Sequence, residues 1–320
     1  MTRRTLRIVR WGIFIAAGTF LYLRLFADQS TQAVWGGMGR ALKDAPGWFW
    51  PVMVVLIVLN WGLESAKWRW LVGHLEPIGR LRAFAATLTG TAIGLVTPNR
   101  TGEFAGRVLF LAPGHRWQGA FATWLGSIAQ FVTTVIMGGL ALVPWWLMSP
   151  GMDAVRPSWG VAMGAVAAMV AAGALSLFFR PGLLRRLLSR VPLLRRLEEP
   201  AGVLEGYTAK ELAAVLGMSM ARYAVFWVQY ALFLSVYAGV EGMAGLVVVP
   251  VIYLIVTLVP TMLLSELGVR GTVAVALLSP WGVDPGLALL ASFGVWGINL
   301  ALPAVAGSLI MLSARIQARP

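Results

Sequence analysis

The 320-residue chain has no cysteine, two histidines, 13 acidic residues and only 12% charged residues. Without cysteine there are no disulfides, thiolate metal sites or cysteine nucleophiles. His74 and His115 lie far apart, and no H-E-x-x-H or G-x-S-x-G motif occurs. The four aspartates, Asp28, Asp44, Asp153 and Asp284, form no D-x-D or D-x-x-D cluster. The sequence therefore predicts no catalytic residue, no metal site and no cofactor. A soluble domain carries about 25% charged residues. The deficit here runs along the whole chain, so residues 1–320 read as a single transmembrane domain.

What is present is apolar: 58% of residues are hydrophobic and the mean hydropathy is +0.77. The net charge of +13 could suggest a nucleic-acid partner. However, the arginines sit between apolar runs, where they set orientation and meet anionic lipid, so no nucleic acid is expected. A bilayer core needs about 20 apolar residues per helix. Full-length candidates fall at about 11–27, 48–66, 118–148, 159–179, 211–238 and 285–313. Two further stretches, about 83–111 and 246–281, are broken near the middle by proline, glycine and charge. The expected fold is an all-α polytopic membrane protein of about six full transmembrane helices. Two broken, re-entrant helical hairpins in an inverted repeat complete it. Arg3-Arg4 before the first run loosely resembles a twin-arginine signal, but Arg24 interrupts the run and no A-x-A site follows. The first run is read as a retained helix.

Loop charge sets the orientation. The N-terminus, the 67–82 loop (Lys67, Arg69, Arg80, Arg82), the 180–210 loop and the C-terminus hold seventeen basic residues. The opposite side holds Arg24, Arg40, Lys43 and Arg156. Both termini are expected in the cytoplasm of an inner-membrane, multi-pass protein. The two broken segments then enter from opposite sides. Within the basic loop, Leu183-Leu184-Arg185-Arg186-Leu187 recurs as Leu193-Leu194-Arg195-Arg196-Leu197. This 180–197 segment suits either an amphipathic element on an anionic lipid surface or ordinary positive-inside charge.

The broken segments resemble each other. Leu95-Val96-Thr97-Pro98 leads to Glu103-x-x-x-Arg107, and Leu258-Val259-Pro260 leads to Glu266-x-x-x-Arg270. Glutamate four residues before arginine shares one helix face with it. Thr101 and Ser265 are expected N-caps, with the acid in the first turn suiting the helix dipole. Charge inside a membrane segment is costly and marks function by default, and paired interrupted helices point to a transporter's binding site. Arg107 and Arg270 would offer bidentate donors to an anion. Arg222, midway along 211–238, is a third candidate ligand, or else the partner of a hairpin carboxylate. The pairs could instead be internal ion pairs that hold the hairpins. Asn60, Gln130, Gln229 and Asn299 read as interhelical hydrogen bonds.

Thr97-Pro98-x-Arg100-x-Gly102-Glu103-x-x-x-Arg107 and Ser265-Glu266-Leu267-Gly268-Val269-Arg270 resemble the paired signatures of the lysylphosphatidylglycerol synthase transmembrane, or flippase-like, family. The second motif departs from the family in having Leu263-Leu264 before Ser265 rather than a glycine-rich stretch. The resemblance implies movement of lipids with modified headgroups, without the soluble synthase and hence without lysine transfer. Its expected substrate-binding residues are Glu103, Arg107, Arg270, Glu266, Arg222 and Arg100, around a membrane lipid with an anionic headgroup. Two alternatives stay open: a membrane-embedded glycosyl or headgroup transferase, and a non-transporting partner of a lipid-modifying enzyme. A homo-oligomer is equally compatible with the sequence.

Overall fold

The computed structural model describes residues 45–97, 100–149, 157–180, 182–183, 186, 197–240, 242–259 and 266–313. The first expected helix, 11–27, most of the 180–197 loop, Ser265 and the Glu266 side chain lie outside the described residues. Within them the chain is helical and no strand occurs.

The helices are α1 Phe49–Val72, α2 Arg80–Leu95, α3 Gly102–Val108, α4 Arg116–Met148, α5 Pro157–Phe178 and the single turn α6 Glu198–Ala201. There follow α7 Ala209–Ala238, α8 Gly242–Leu258, α9 Glu266–Leu278, α10 Pro285–Trp296 and α11 Leu302–Ser313. Among the described residues, five segments are long and apolar enough to cross a membrane: α1, α4 with its lead-in, α5, α7, and α10 through α11. The expected helix at 285–313 contains a π turn, Gly297–Ala301. Such turns insert a residue into the helical register and concentrate at functional sites. Exposed large apolar side chains gather on α1 (Val54, Val55, Val58) and α5 (Val161, Val166, Met169), as expected for lipid-facing surfaces.

Local chemistry explains the boundaries. Thr208 and Glu211 form a reciprocal capping box at the start of α7, and Gly239 ends it at φ 64. Asp284 accepts from the Gly286 and Leu287 N–H groups, with Pro285 at the first helical position of α10. Buried threonines return their hydroxyls to their own helix, as Thr87 does to the Ala83 carbonyl at 2.9 Å and Thr133 to Ala129 at 2.8 Å.

Both broken segments are broken where the sequence predicts. α2 and α3 pack face to face, as α8 and α9 also do. Glycines set the first of these contacts. A Cβ on Gly90 would sit 2.7 Å from Arg107 Cγ, and one on Gly106 would sit 2.6 Å from Gly90 Cα. Small residues spaced four apart on both helices let the backbones touch. On its other side α2 packs against α11, where Gly307 meets the Leu88 carbonyl.

Candidate functional site

The site begins on α1. The apolar run at 48–66 suggests that this helix stops before Lys67, but it continues to Val72. Lys67, assigned above to a cytoplasmic loop, is instead 2% exposed inside the bundle. Its ammonium has three protons to place and three acceptors to meet them. These are Glu64 Oε2 at 2.8 Å, the Gly126 carbonyl at 3.2 Å and Ser219 Oγ at 3.3 Å. The lysine thereby ties α1 to α4 and α7.

Glu64 is the hub of the cluster. Its Oε1 accepts from Arg107 Nη1 at 2.8 Å, and Arg222 Nη1 lies 3.3 Å from its Oε2. Arg107 also meets Glu103 through Nη2 at 3.3 Å, the four-residue pair expected on one helix face. Glu103 in turn pairs with Arg100. Arg222 therefore partners a carboxylate of α1, not of a hairpin. Neither Glu64 nor Lys67 was among the expected site residues. Their signal was present, because Asn60, Glu64 and Lys67 recur at four- and three-residue spacing and so form one helical stripe.

The short helix α3 is held by a different residue from the one expected. Thr101 has helical backbone angles, φ −59 and ψ −26, and makes no capping bond. Thr97 takes that role from the preceding turn, its Oγ1 accepting the Gly102 N–H at 2.7 Å. Between them Arg100 adopts φ 58, the one positive value at a non-glycine among the described residues. Strained backbone of this kind gathers at functional sites.

The polar amides extend the cluster across the bundle, as the sequence predicts. Arg222 Nε donates to Asn60 Oδ1 at 2.9 Å, Asn60 Nδ2 to Asn299 Oδ1 at 2.7 Å, and Asn299 Nδ2 to Gln229 Oε1 at 2.9 Å. Asn299 comes from the π turn. Arg222 also lies over the Phe226 ring at 4.8 Å and the Trp61 ring at 5.6 Å, a favourable placement for a guanidinium.

A cavity of about 550 Å³ opens onto these groups. Its charged lining is Lys67, Arg100, Arg107, Arg222 and Arg270 against Glu64 and Glu103. Five cations against two carboxylates leave an excess of three positive charges among the described residues. The structure thus brings Glu103, Arg107, Arg270, Arg222 and Arg100 to one place, while the Glu266 side chain lies outside the described residues. The two histidines are elsewhere: His74 meets Glu211 and His115 meets Glu76, each at 2.9 Å. Among the described residues no three His, Cys, Asp or Glu side chains gather as a metal site would require.

These features define a helical, multi-pass membrane protein with a net-cationic cavity set among its helices. The chain belongs to the lysylphosphatidylglycerol synthase transmembrane-region family, whose model matches residues 9–307. That membership points to a membrane role connected with lipid. Comparison with curated proteins and with solved structures finds no match.

Proposed function

We propose that the protein is a lipid translocator of the inner membrane, moving the headgroup of a phospholipid or polyprenyl-linked lipid across the bilayer. The observation that carries this reading is the excess of three positive charges around one cavity in a chain of this family. A phosphodiester supplies the missing negative charge, and guanidinium groups bind phosphate oxygens in matching planar geometry. Glu64 and Glu103 keep Arg107 and Arg222 in place without neutralising the whole cluster. The acyl or prenyl chains stay in lipid, so only the headgroup needs a polar path.

In this reading the α2–α3 and α8–α9 segments are re-entrant hairpins facing each other from opposite sides of an inverted repeat, with both termini cytoplasmic. The basic 180–197 segment rests on anionic lipid. No bond is made or broken, and the sequence carries no nucleotide-binding motif, so gradients, voltage or mass action drive the movement.

The test is reconstitution into liposomes with a fluorescent phosphatidylglycerol in both leaflets, bleached from outside by dithionite. Wild type should expose the inner-leaflet pool. Arg107→Ala and Arg270→Ala should lose that exposure while still eluting as folded protein. Full translocation by both variants refutes the assignment.

A further inference from the structure

Beside the charged cavity lies a smaller one of about 170 Å³, and the two share Arg100, Arg222, Arg270 and Gln130. The remaining wall differs in kind, with Tyr223, Phe226, Tyr253 and Trp296 presenting aromatic surface. Tyr223 is 2% exposed, and its hydroxyl has no hydrogen-bond partner. Leaving such a group unpaired is costly, so a buried orphan calls for an explanation. The neighbouring Tyr253 donates to the Phe226 carbonyl at 3.3 Å. It packs edge-on against Tyr223 at 5.9 Å, which fixes the ring but leaves its hydroxyl unspent.

Aromatic faces attract cations, so an amine-bearing headgroup is the first candidate for this space. The charge of the walls argues against it. Three arginines line the cavity, and among the described residues no carboxylate does. Glu64 and Glu103 line only the larger cavity and are already engaged by cations. An ammonium group would meet guanidinium charge on one side and find no described counter-ion. A neutral polyol or sugar meets no such repulsion. Its C–H faces pack on the aromatic rings, and a hydroxyl answers the free Tyr223 phenol.

We propose that the smaller cavity is a headgroup subsite for a lipid whose phosphate is esterified to an uncharged, hydroxyl-bearing group, and that it disfavours amine headgroups. The inference rests on the phosphate-binding reading above: the shared arginines take the phosphate and its substituent enters the aromatic side.

The experiment is competitive loading of the purified full chain with phosphatidylglycerol, phosphatidylethanolamine and phosphatidic acid of identical chains. Retained lipid is read by native mass spectrometry. Phosphatidylglycerol should be kept in preference to phosphatidylethanolamine. Tyr223→Phe should lower phosphatidylglycerol retention about three- to ten-fold, the loss expected for one buried hydrogen bond. It should leave phosphatidic acid, which presents phosphate alone, unchanged. Equal or greater retention of the amine lipid overturns the proposal, as does a Tyr223→Phe variant that loses all three lipids alike. Arg270→Ala separates the two levels. If it lowers all three lipids while wild type shows no headgroup preference, only the subsite falls. If it changes none of them, the phosphate reading falls and the subsite with it. Displacement of phosphatidylglycerol by soluble glycerol phosphate supports recognition of the headgroup alone. Failure to displace, with the preference intact, supports recognition of the whole lipid.

Discussion

Replacing Glu64 with glutamine keeps the shape of the side chain and removes the charge that three cations share. Lys67, Arg107 and Arg222 approach its oxygens at 2.8, 2.8 and 3.3 Å. At an effective dielectric of about 20, each contact is worth about 5–6 kcal/mol of Coulomb attraction. Desolvation offsets most of that, and removing one partner of a buried pair costs about 3–5 kcal/mol. Glu64→Gln should reach the upper part of that range, because it strands Lys67 outright and leaves Arg107 with Glu103 alone. The assay is reversible unfolding in mixed micelles at increasing denaturing detergent, compared with wild type. Lys67→Met retains the apolar stem of the lysine while removing its ammonium. In the Glu64→Gln/Lys67→Met double variant the loss should be smaller than the sum of the singles by about 0.5–3 kcal/mol, as for residues in direct contact. A Glu64→Gln protein within about 1 kcal/mol of wild type, or strict additivity in the double variant, would refute the hub assignment.

Three further outcomes follow from the packing. Gly90→Val should destabilise by about 1–3 kcal/mol or more through overpacking against Arg107 and Glu103. Gly62→Ala, where a new Cβ meets nothing within 4 Å, should be close to neutral in the same unfolding assay. Thr97→Val removes the acceptor for the Gly102 N–H and should cost about 1 kcal/mol, whereas Thr97→Ser should retain most of it. Burial pushes the Tyr207 phenol above its ordinary value, and its hydroxyl donates to the Leu71 carbonyl at 2.7 Å. Because the folded state favours the protonated form, this contribution is complete below about pH 10 and declines as pH rises further. Alkaline unfolding of Tyr207→Phe should lack that component.

The helical membrane architecture was legible because long apolar runs separated by arginine leave few alternatives. The Glu103–Arg107 pair was legible because its spacing alone places both groups on one face. Glu64 and Lys67 escaped because charge at the end of an apolar run looks like the start of a loop. Hydropathy cannot tell a charge facing water from one facing an oppositely charged helix distant in sequence. Trp68, Leu71 and Val72, all buried, continue the helix past those charges, and reading the register through them would have kept both residues inside. The capping role was misplaced by position: Thr101 stands next to the helix, but the acceptor comes from Thr97, one turn back. Arg222 was legible as a buried charge, while its carboxylate could be found only in three dimensions.

The charge cluster also bears on how the chain can be made. Segments enter a membrane in the order of synthesis, and an uncompensated charge at mid-bilayer is expensive to insert. Glu64 and Lys67 arrive together on α1 as a self-neutralising pair, and Glu103 arrives with Arg107. Arg222 brings no such companion; the nearest acid before it is Glu211, at the exposed start of the same helix. It depends on Glu64, already in place on a helix made much earlier. Biogenesis therefore has a late checkpoint at α7: the helix settles only if α1 has waited with a carboxylate to receive it.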